Sequence, residues 1–369
     1  MLFCTLYPEG VPIDLVKDVG QIPINLSRYY MDIHSRLVSC HISKEDYNDI
    51  NIRFDIVKIC SILNNPFITG VIYILCHAKE INWLNVYHCG RKTYIWCWLF
   101  KMLNPRGKIY LKLDLDFISC NMYDNNKYES EIFKRGTEKA DIVSAESQAV
   151  VDRVQKHTDK NIIIIPNGFC LPQIDNKKTI KKKIILTVGR LGTEQKATDI
   201  LLDAFAKHAK EHEWSLRLIG NIEKSFIHIK EQFYGLHPEL RERVVFTGEI
   251  LDRGQLNDEY RSAAIFVLPS RWESFGIAAI EAIANGCKVI LSDQCPVAEE
   301  VTNNQKYGKI VASNKVDELA DAILEEINEC CNADYMENDI IEYAFEKFSW
   351  KNICRNLYDI GINPVTEEN

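Results

Sequence analysis

The sequence predicts an α/β protein built of two Rossmann-like, doubly wound domains. Three observations carry this: short apolar runs alternate with helix-periodic stretches from end to end, most of those runs are continuously apolar, as strands buried on both faces of a parallel sheet are, and 369 residues exceed what one hydrophobic core usually serves.

In the first half, LFCTLY (2–7), RLVSCHI (36–42), VIYILC (71–76), LNVYHC (84–89), KIYLKLDL (108–115), ADIVSA (140–145) and NIIIIPNG (161–168) read as strands. IPINLSRYYMD (22–32) reads as a helix with Pro23 in its first turn, where a missing N–H costs nothing. The second half repeats the rhythm with KKIILTVGR (182–190), SLRLIGN (215–221), RVVFTG (243–248), IFVLPS (265–270) and CKVILSD (287–293) as strands. Helical stretches at 199–212, 224–241 and 256–263 and a helix after Ser274 separate them. The join is CLPQIDNKKTIKKK (170–183), whose loop composition and basic run read as a solvated linker. The first domain is thus expected over 1–172 and the second over 173–346; the helical tail 340–361 reaches into 347–369, which is expected to complete the first domain.

Apolar content of 46% and charged content of 26% are those of an ordinary globular protein. The net charge of -8 argues against nucleic acid as the partner, since phosphate binding needs a net basic face. Lys and Arg against Asp and Glu number 20 and 19 in residues 1–170 but 24 and 33 in 171–369, so the acidity belongs to the second half, as two domains with different ligands would have it. The thirteen cysteines are scattered, without disulfide-framework or zinc spacing, and point to a reducing, cytoplasmic location. No signal peptide is expected at the N-terminus, and no apolar run reaches the length of a transmembrane helix.

In open α/β sheets, ligands bind beyond the carboxyl ends of the strands, so the residues that follow each strand carry the functional reading. In TVGRLGTEQKATD (187–199), Gly189 permits close backbone approach, and Arg190 and Lys196 place two cations on one loop, as a diphosphate requires; a solvated loop with chance cations is the other reading. In VLPSRWESFGIAAIEAIANG (267–286) a helix is expected to begin at Ser274 as N-cap, with the N–H groups of Phe275 and Gly276 forming an anion site. Glu281 then falls roughly 10 Å along that helix. In so apolar a helix its carboxylate must be paired with an arginine or face a ligand.

Together PNGF (166–169), VGRLGTEQK (188–196) and LPSRWESFGIAAIEAIANGCKVILSD (268–293) resemble the retaining nucleotide-sugar glycosyltransferases of the GT-B fold, family four, whose pair of glutamates eight residues apart is matched by Glu273 and Glu281. The resemblance implies two domains facing a central cleft, with Glu273, Arg190 and Lys196 as the catalytic set. It implies donor binding by Gly189, Arg190, Lys196, Gly220, Asn221, Gly248, Ser274, Phe275, Gly276 and Glu281, with Glu273 on the transferred hexose and Glu281 on the ribose. Where members often carry a second glycine shortly after Gly220, this sequence has Asn221-Ile222. On the acceptor side the likeness implies Gly20, as a glycine loop before a helix, and His88 and Asp114, each following a strand; either of the last two also reads as a satisfied core polar residue.

Asp114-Leu115-Asp116 looks like a metal-binding Asp-x-Asp but lies in the wrong domain for the donor, so no metal and no cofactor are expected. The stretch 90–108 interleaves aromatics with cations; apolar on all sides, it reads first as a buried helix and second as a peripheral membrane contact. The function implied is transfer of a hexose, from a UDP-sugar by preference, to a hydroxyl of a glycan, lipid-linked sugar or glycoprotein, in the cytoplasm or at the inner membrane face. A nucleotide-sugar epimerase and a non-catalytic nucleotide-sugar-binding protein are the alternatives, and the oligomeric state stays open.

Overall fold

The computed structural model describes residues 1–47, 49, 51–61, 64–171, 180–331 and 336–362. The chain divides into two compact units, Met1–Gly168 with Phe348–Asn369, and Phe169–Lys347.

The first unit is built on a seven-stranded, all-parallel sheet: β1 (Leu2–Leu6), β2 (His34–Ser39), β3 (Phe54–Lys58), β4 (Trp83–Tyr87), β5 (Lys108–Lys112), β6 (Ile142–Ala145) and β7 (Ile162–Ile164), in the order β3-β2-β1-β4-β5-β6-β7. Cys4, Leu6, Leu84, Val86, Ile109, Leu111, Val143 and Ala145 enter its core. The expected strand VIYILC is instead part of the helix Pro66–His77. Asn65 caps it by accepting from the N–H groups of Phe67 (3.0 Å) and Ile68 (3.4 Å), and Pro66 follows at the position where no N–H is needed. The strand is β3, an edge strand with only Ile56 buried, so it lacks the continuous apolar run of its neighbours.

The helix expected to open at Pro23 spans Asp18–Tyr29 and holds Pro23 in its interior. Gly20 is therefore not in a loop before a helix; it lies in the first turn, where a Cβ would stand 2.5 Å from the backbone of Leu15, a closeness only glycine allows.

The second unit carries a six-stranded parallel sheet: β8 (Lys182–Val188), β9 (Ser215–Ile219), β10 (Val244–Gly248), β11 (Ala263–Leu268), β12 (Lys288–Ser292) and β13 (Gly308–Val311), in the order β10-β9-β8-β11-β12-β13. Ile185, Leu216, Leu218, Ile265, Val267 and Ile290 pack under the helices Thr198–Lys207 and Val316–Cys331. After the helix Glu337–Phe348 the chain returns to the first unit: helix Trp350–Leu357 lies on Asp18–Tyr29, where the Cys354 thiol meets the Ile22 carbonyl, and Tyr358 stacks on Tyr30 at 3.7 Å.

In each sheet the winding reverses beside the first strand, between β1 and β4 and between β8 and β11. A crevice at the carboxyl ends follows from that reversal. All thirteen cysteines are free. Among the described residues no helix is long and apolar enough to cross a membrane.

Candidate active site

At the reversal point of the second sheet, glycine backbone replaces side chains. Gly189 donates its N–H to the Ile219 carbonyl (3.0 Å), and Gly220 donates to that of Gly248 (2.9 Å), so three neighbouring strand ends are tied together. Gly220 has φ +139°, and a Cβ there would fall 1.8 Å from the Gly189 oxygen. Gly248 is also left-handed, at φ +82°, with open space where a side chain would stand. Ile222, at the place where a second glycine was expected, bridges to Leu191, and Asn221 is exposed and gives its carbonyl to the Leu191 N–H (2.9 Å).

Over this bare edge the loops after β8 and β11 are laced together. Lys196, whose stem lies against Gly189, sends its ammonium to the Glu273 carboxylate, 77 residues away in sequence. Ser270 Oγ donates to the same Glu273 oxygen at 2.7 Å. Gln195 donates to the Trp272 carbonyl (3.0 Å) and accepts from the exposed Arg190 guanidinium (2.7 Å). Arg271, paired with Asp199 at 2.8 Å, donates its N–H to the Gln195 carbonyl (2.8 Å). Glu273 is 5% exposed, so it sits in low dielectric and its pairing with Lys196 is strongly felt. Arg190, Lys196 and Glu273 thus share one loop cluster.

The helix after β11 begins at Ile277, three residues later than expected. Gly276 is its cap at φ +91°, and Ser274 makes no capping bond, because a left-handed glycine turns the chain there instead of a hydroxyl. The first N–H groups of the helix itself that lie outside its ladder are accordingly those of Ile277 and Ala278, and those of Phe275 and Gly276 belong to the turn before it. Phe275 is a core residue, 2% exposed, whose carbonyl accepts from the Cys295 thiol at 3.2 Å. Burial pushes that thiol up to about 12, so it is an inert neighbour.

With the later start, Glu281 lies only roughly 6 Å along the helix. Its carboxylate accepts from the Arg253 guanidinium and, at 3.1 Å, from the buried Tyr260 hydroxyl. Arg253 also donates to the Cys170 carbonyl (3.0 Å). The arginine pair is thus present, and it joins the segment entering the second unit to the helix that carries Glu281. Arg253, Tyr260, Ser270 and Gln195 were not found from sequence; Arg253 follows the helix-capping Asp252 in an ordinary polar stretch, and nothing local marks it.

In the first unit, His88 follows β4 and is exposed, with φ +57°, and its N–H donates to the Lys112 carbonyl (3.0 Å). Asp114 follows β5 with φ +46°, and its N–H donates to Glu146 Oε1 (3.0 Å). Two non-glycine residues in the left-handed region at adjacent strand ends are uncommon and accompany functional edges. Asp116 caps the helix Phe117–Asn125 through the Ser119 N–H (2.6 Å), which gives the Asp114-Leu115-Asp116 triplet a structural role at one end. Beneath lies a charged core that sequence did not flag: Lys112 is fully buried and meets Glu146 Oε1 at 2.9 Å, the Ile165 carbonyl at 2.8 Å and Asp18 Oδ2 at 4.0 Å. Burial, opposed by Lys112 and reinforced by Asp114 and Glu146, lifts Asp18 to about 7. Among the described residues no group of three or more His, Cys, Asp or Glu could hold a metal ion.

Two doubly wound parallel sheets, the second with a cation and a carboxylate laced over a glycine edge at its reversal point, define the GT-B class of fold. Residues 172–347, in the second unit, match the family model "Glycosyl transferases group 1". An uncharacterized glycosyltransferase of Methanocaldococcus jannaschii is 31% identical over 187 residues, 50% of this chain and 46% of that protein. The lipopolysaccharide core biosynthesis mannosyltransferase LpsB of Rhizobium meliloti is 29% identical over 43% of this chain and 50% of its own length. The matched stretch thus spans about half the length of these relatives. The solved sucrose-phosphate synthase of Thermosynechococcus elongatus superposes with a TM-score of 0.71 at 18% identity, covering 97% of each chain. Anabaena HepE in complex with UDP gives 0.68 at 18% identity, covering 97% of this chain and 98% of that one. These likenesses show the fold.

Proposed function

We propose that the chain is a retaining glycosyltransferase that moves a hexose from a nucleotide diphosphate sugar, UDP-linked by preference, to a hydroxyl of a glycan, glycolipid or glycoprotein acceptor in the synthesis of a cell-surface polysaccharide or glycoconjugate. The observation that carries the reading is the meeting of Lys196 and Glu273 over the glycine edge of β8, β9 and β10. The match of residues 172–347 to the glycosyl transferases group 1, the UDP held by one relative in fold and the lipopolysaccharide role in another's name support it.

In this reading the donor diphosphate draws the Lys196 ammonium from Glu273, and Arg190 swings from Gln195 to the same phosphates. The N–H groups of Ile277 and Ala278 add the positive end of the helix. Released from Lys196, Glu273 accepts hydroxyl groups of the hexose, an assignment that suits an acceptor-only carboxylate. Glu281, held in place by Arg253 and Tyr260, keeps acceptor capacity for the ribose hydroxyls. The chemistry asked of the protein is positioning and stabilisation of charge on the departing diphosphate. The acceptor hydroxyl then attacks from the face the diphosphate leaves and passes its proton to the departing phosphate oxygen, which retains configuration without a protein nucleophile. Two cations and a helix start supply the charge a metal would otherwise supply, so the reaction is proposed to be metal-independent. His88 and Asp114 face the acceptor side in this scheme.

Calorimetric titration of the full chain with UDP and with GDP tests the donor site: saturable binding of UDP is expected, lost in Lys196→Ala. Absence of binding by both nucleotides would remove the reading.

A further inference from the structure

The helix expected to be buried all round, Arg91–Leu103, has two unlike faces. Thr93, Trp96, Cys97 and Phe100 are buried, whereas Ile95, Trp98 and Met102 are 38%, 44% and 58% exposed. With Arg91 these three fall at i, i+4, i+7 and i+11, one stripe along the helix. Leu75, 54% exposed, stands on the neighbouring helix Pro66–His77. Large apolar residues grouped in solvent mark a contact surface.

The stripe ends in a cavity of about 400 Å³ between this helix and Lys127–Lys139. Arg91, Tyr94 and Ile95 line one wall; Tyr128, Glu131, Ile132 and Arg135, at helical spacing, line the other. Arg91 lies over the Tyr128 ring at 4.5 Å, and Arg135 Nε donates to Glu131 at 2.6 Å. Two guanidinium groups face one carboxylate, so the cavity is net cationic, and a guanidinium has further N–H donors beyond the one that Glu131 takes. The polarity runs from cations in the cavity to hydrocarbon along the stripe, the same order in which an amphiphile carries phosphate and then chain.

We propose that this cavity and stripe form a binding site for an anionic phospholipid at a membrane surface, with the phosphate between Arg91 and Arg135 and Ile95, Trp98 and Met102 entering the acyl layer. The helix is too short to span a bilayer and lies in its interface, where tryptophan and arginine are favoured. A soluble phosphate would use the guanidinium groups and leave the stripe without a function. None of these residues belongs to the donor site proposed above, so the two assignments stand or fall separately.

The test is co-sedimentation of the full chain with vesicles of phosphatidylcholine alone and of phosphatidylcholine mixed with phosphatidylglycerol. The chain is expected to sediment with the mixed vesicles. Arg91→Gln and Arg135→Gln should each weaken that by about fivefold, the effect of one basic residue near an anionic surface. Trp98→Ser should weaken it as well. UDP titration and circular dichroism of the same variants, expected to match the unaltered chain, show that the fold is intact. Wild-type protein left in the supernatant with mixed vesicles would overturn the proposal, as would arginine variants that sediment like wild type. Complete release by inorganic phosphate would do the same, because it would mark a site for soluble phosphate.

Discussion

Lys196→Met removes the ammonium while keeping most of the stem against Gly189, and leaves the Glu273 carboxylate 5% exposed with only the Ser270 hydroxyl, at 2.7 Å, among its observed side-chain donors. Breaking a buried ion pair from one side costs about 3–5 kcal/mol, because the surviving charge keeps its desolvation penalty. Here the lysine side chain is 18% exposed and the serine bond remains, so the lower end, about 3 kcal/mol, is the expected loss. Glu273→Gln on the Met background removes the stranded charge and should recover about 2 kcal/mol, a coupling typical of residues in direct contact. Urea unfolding of the four proteins in the cycle, followed by a probe in the second unit, measures both numbers. A loss under about 1 kcal/mol in Lys196→Met, with no recovery in the double variant, would refute the picture of a buried, mutually dependent pair.

Glu281→Ala should weaken UDP affinity and also destabilise the second unit by about 1–3 kcal/mol, since the Tyr260 hydroxyl loses its acceptor in the core; Glu273→Ala should chiefly depress turnover, and equal effects on affinity and rate in both variants would undo the division between ribose and hexose. In the first unit Asp18 is lifted to about 7, so the folded state holds a proton that the unfolded chain releases near its ordinary value of about 4. That contribution is complete below about pH 4 and is lost as the pH rises through about 7. Asp18→Asn should therefore match wild type near the acid end and exceed it by up to about 4 kcal/mol at alkaline pH. Thermal melts across that range check the slope, and a wild-type advantage that grows with pH would reverse the argument.

Much of the molecule was legible where local chemistry decides it. Continuous apolar runs marked most strands of both parallel sheets, and glycines at strand ends marked the places where backbone must approach backbone, as Gly220 does Gly189. VIYILC misled because a buried helix and a buried strand share the same apolar run; the information lay in Asn65-Pro66 just before it, a cap and a first-turn proline. β3 and β13, each at an edge of its sheet, lack such runs: polar residues interrupt β3 (FDIVK), and β13 opens on Gly308 and Lys309. Ser274 looked like a cap by residue type, but the left-handed Gly276 sets the helix start. The partners of the key carboxylates were out of reach for another reason: Lys196 meets Glu273, and Arg253 with Tyr260 meets Glu281, only when distant strands and helices close on each other. The same holds for Asp18, Lys112 and Glu146, three unremarkable residues made into a charged core where the ends of β5 and β6 meet the start of the helix Asp18–Tyr29.

The most direct test of the central claim is incubation of the full chain with a panel of UDP- and GDP-hexoses in the presence of a chelator, with and without glycan acceptors, followed by mass spectrometry of the nucleotide and sugar products. Release of nucleoside diphosphate from one donor is expected, faster with acceptor, undiminished by the chelator and abolished in Glu273→Ala. No release from any donor, or release of an altered nucleotide sugar instead, would contradict the claim.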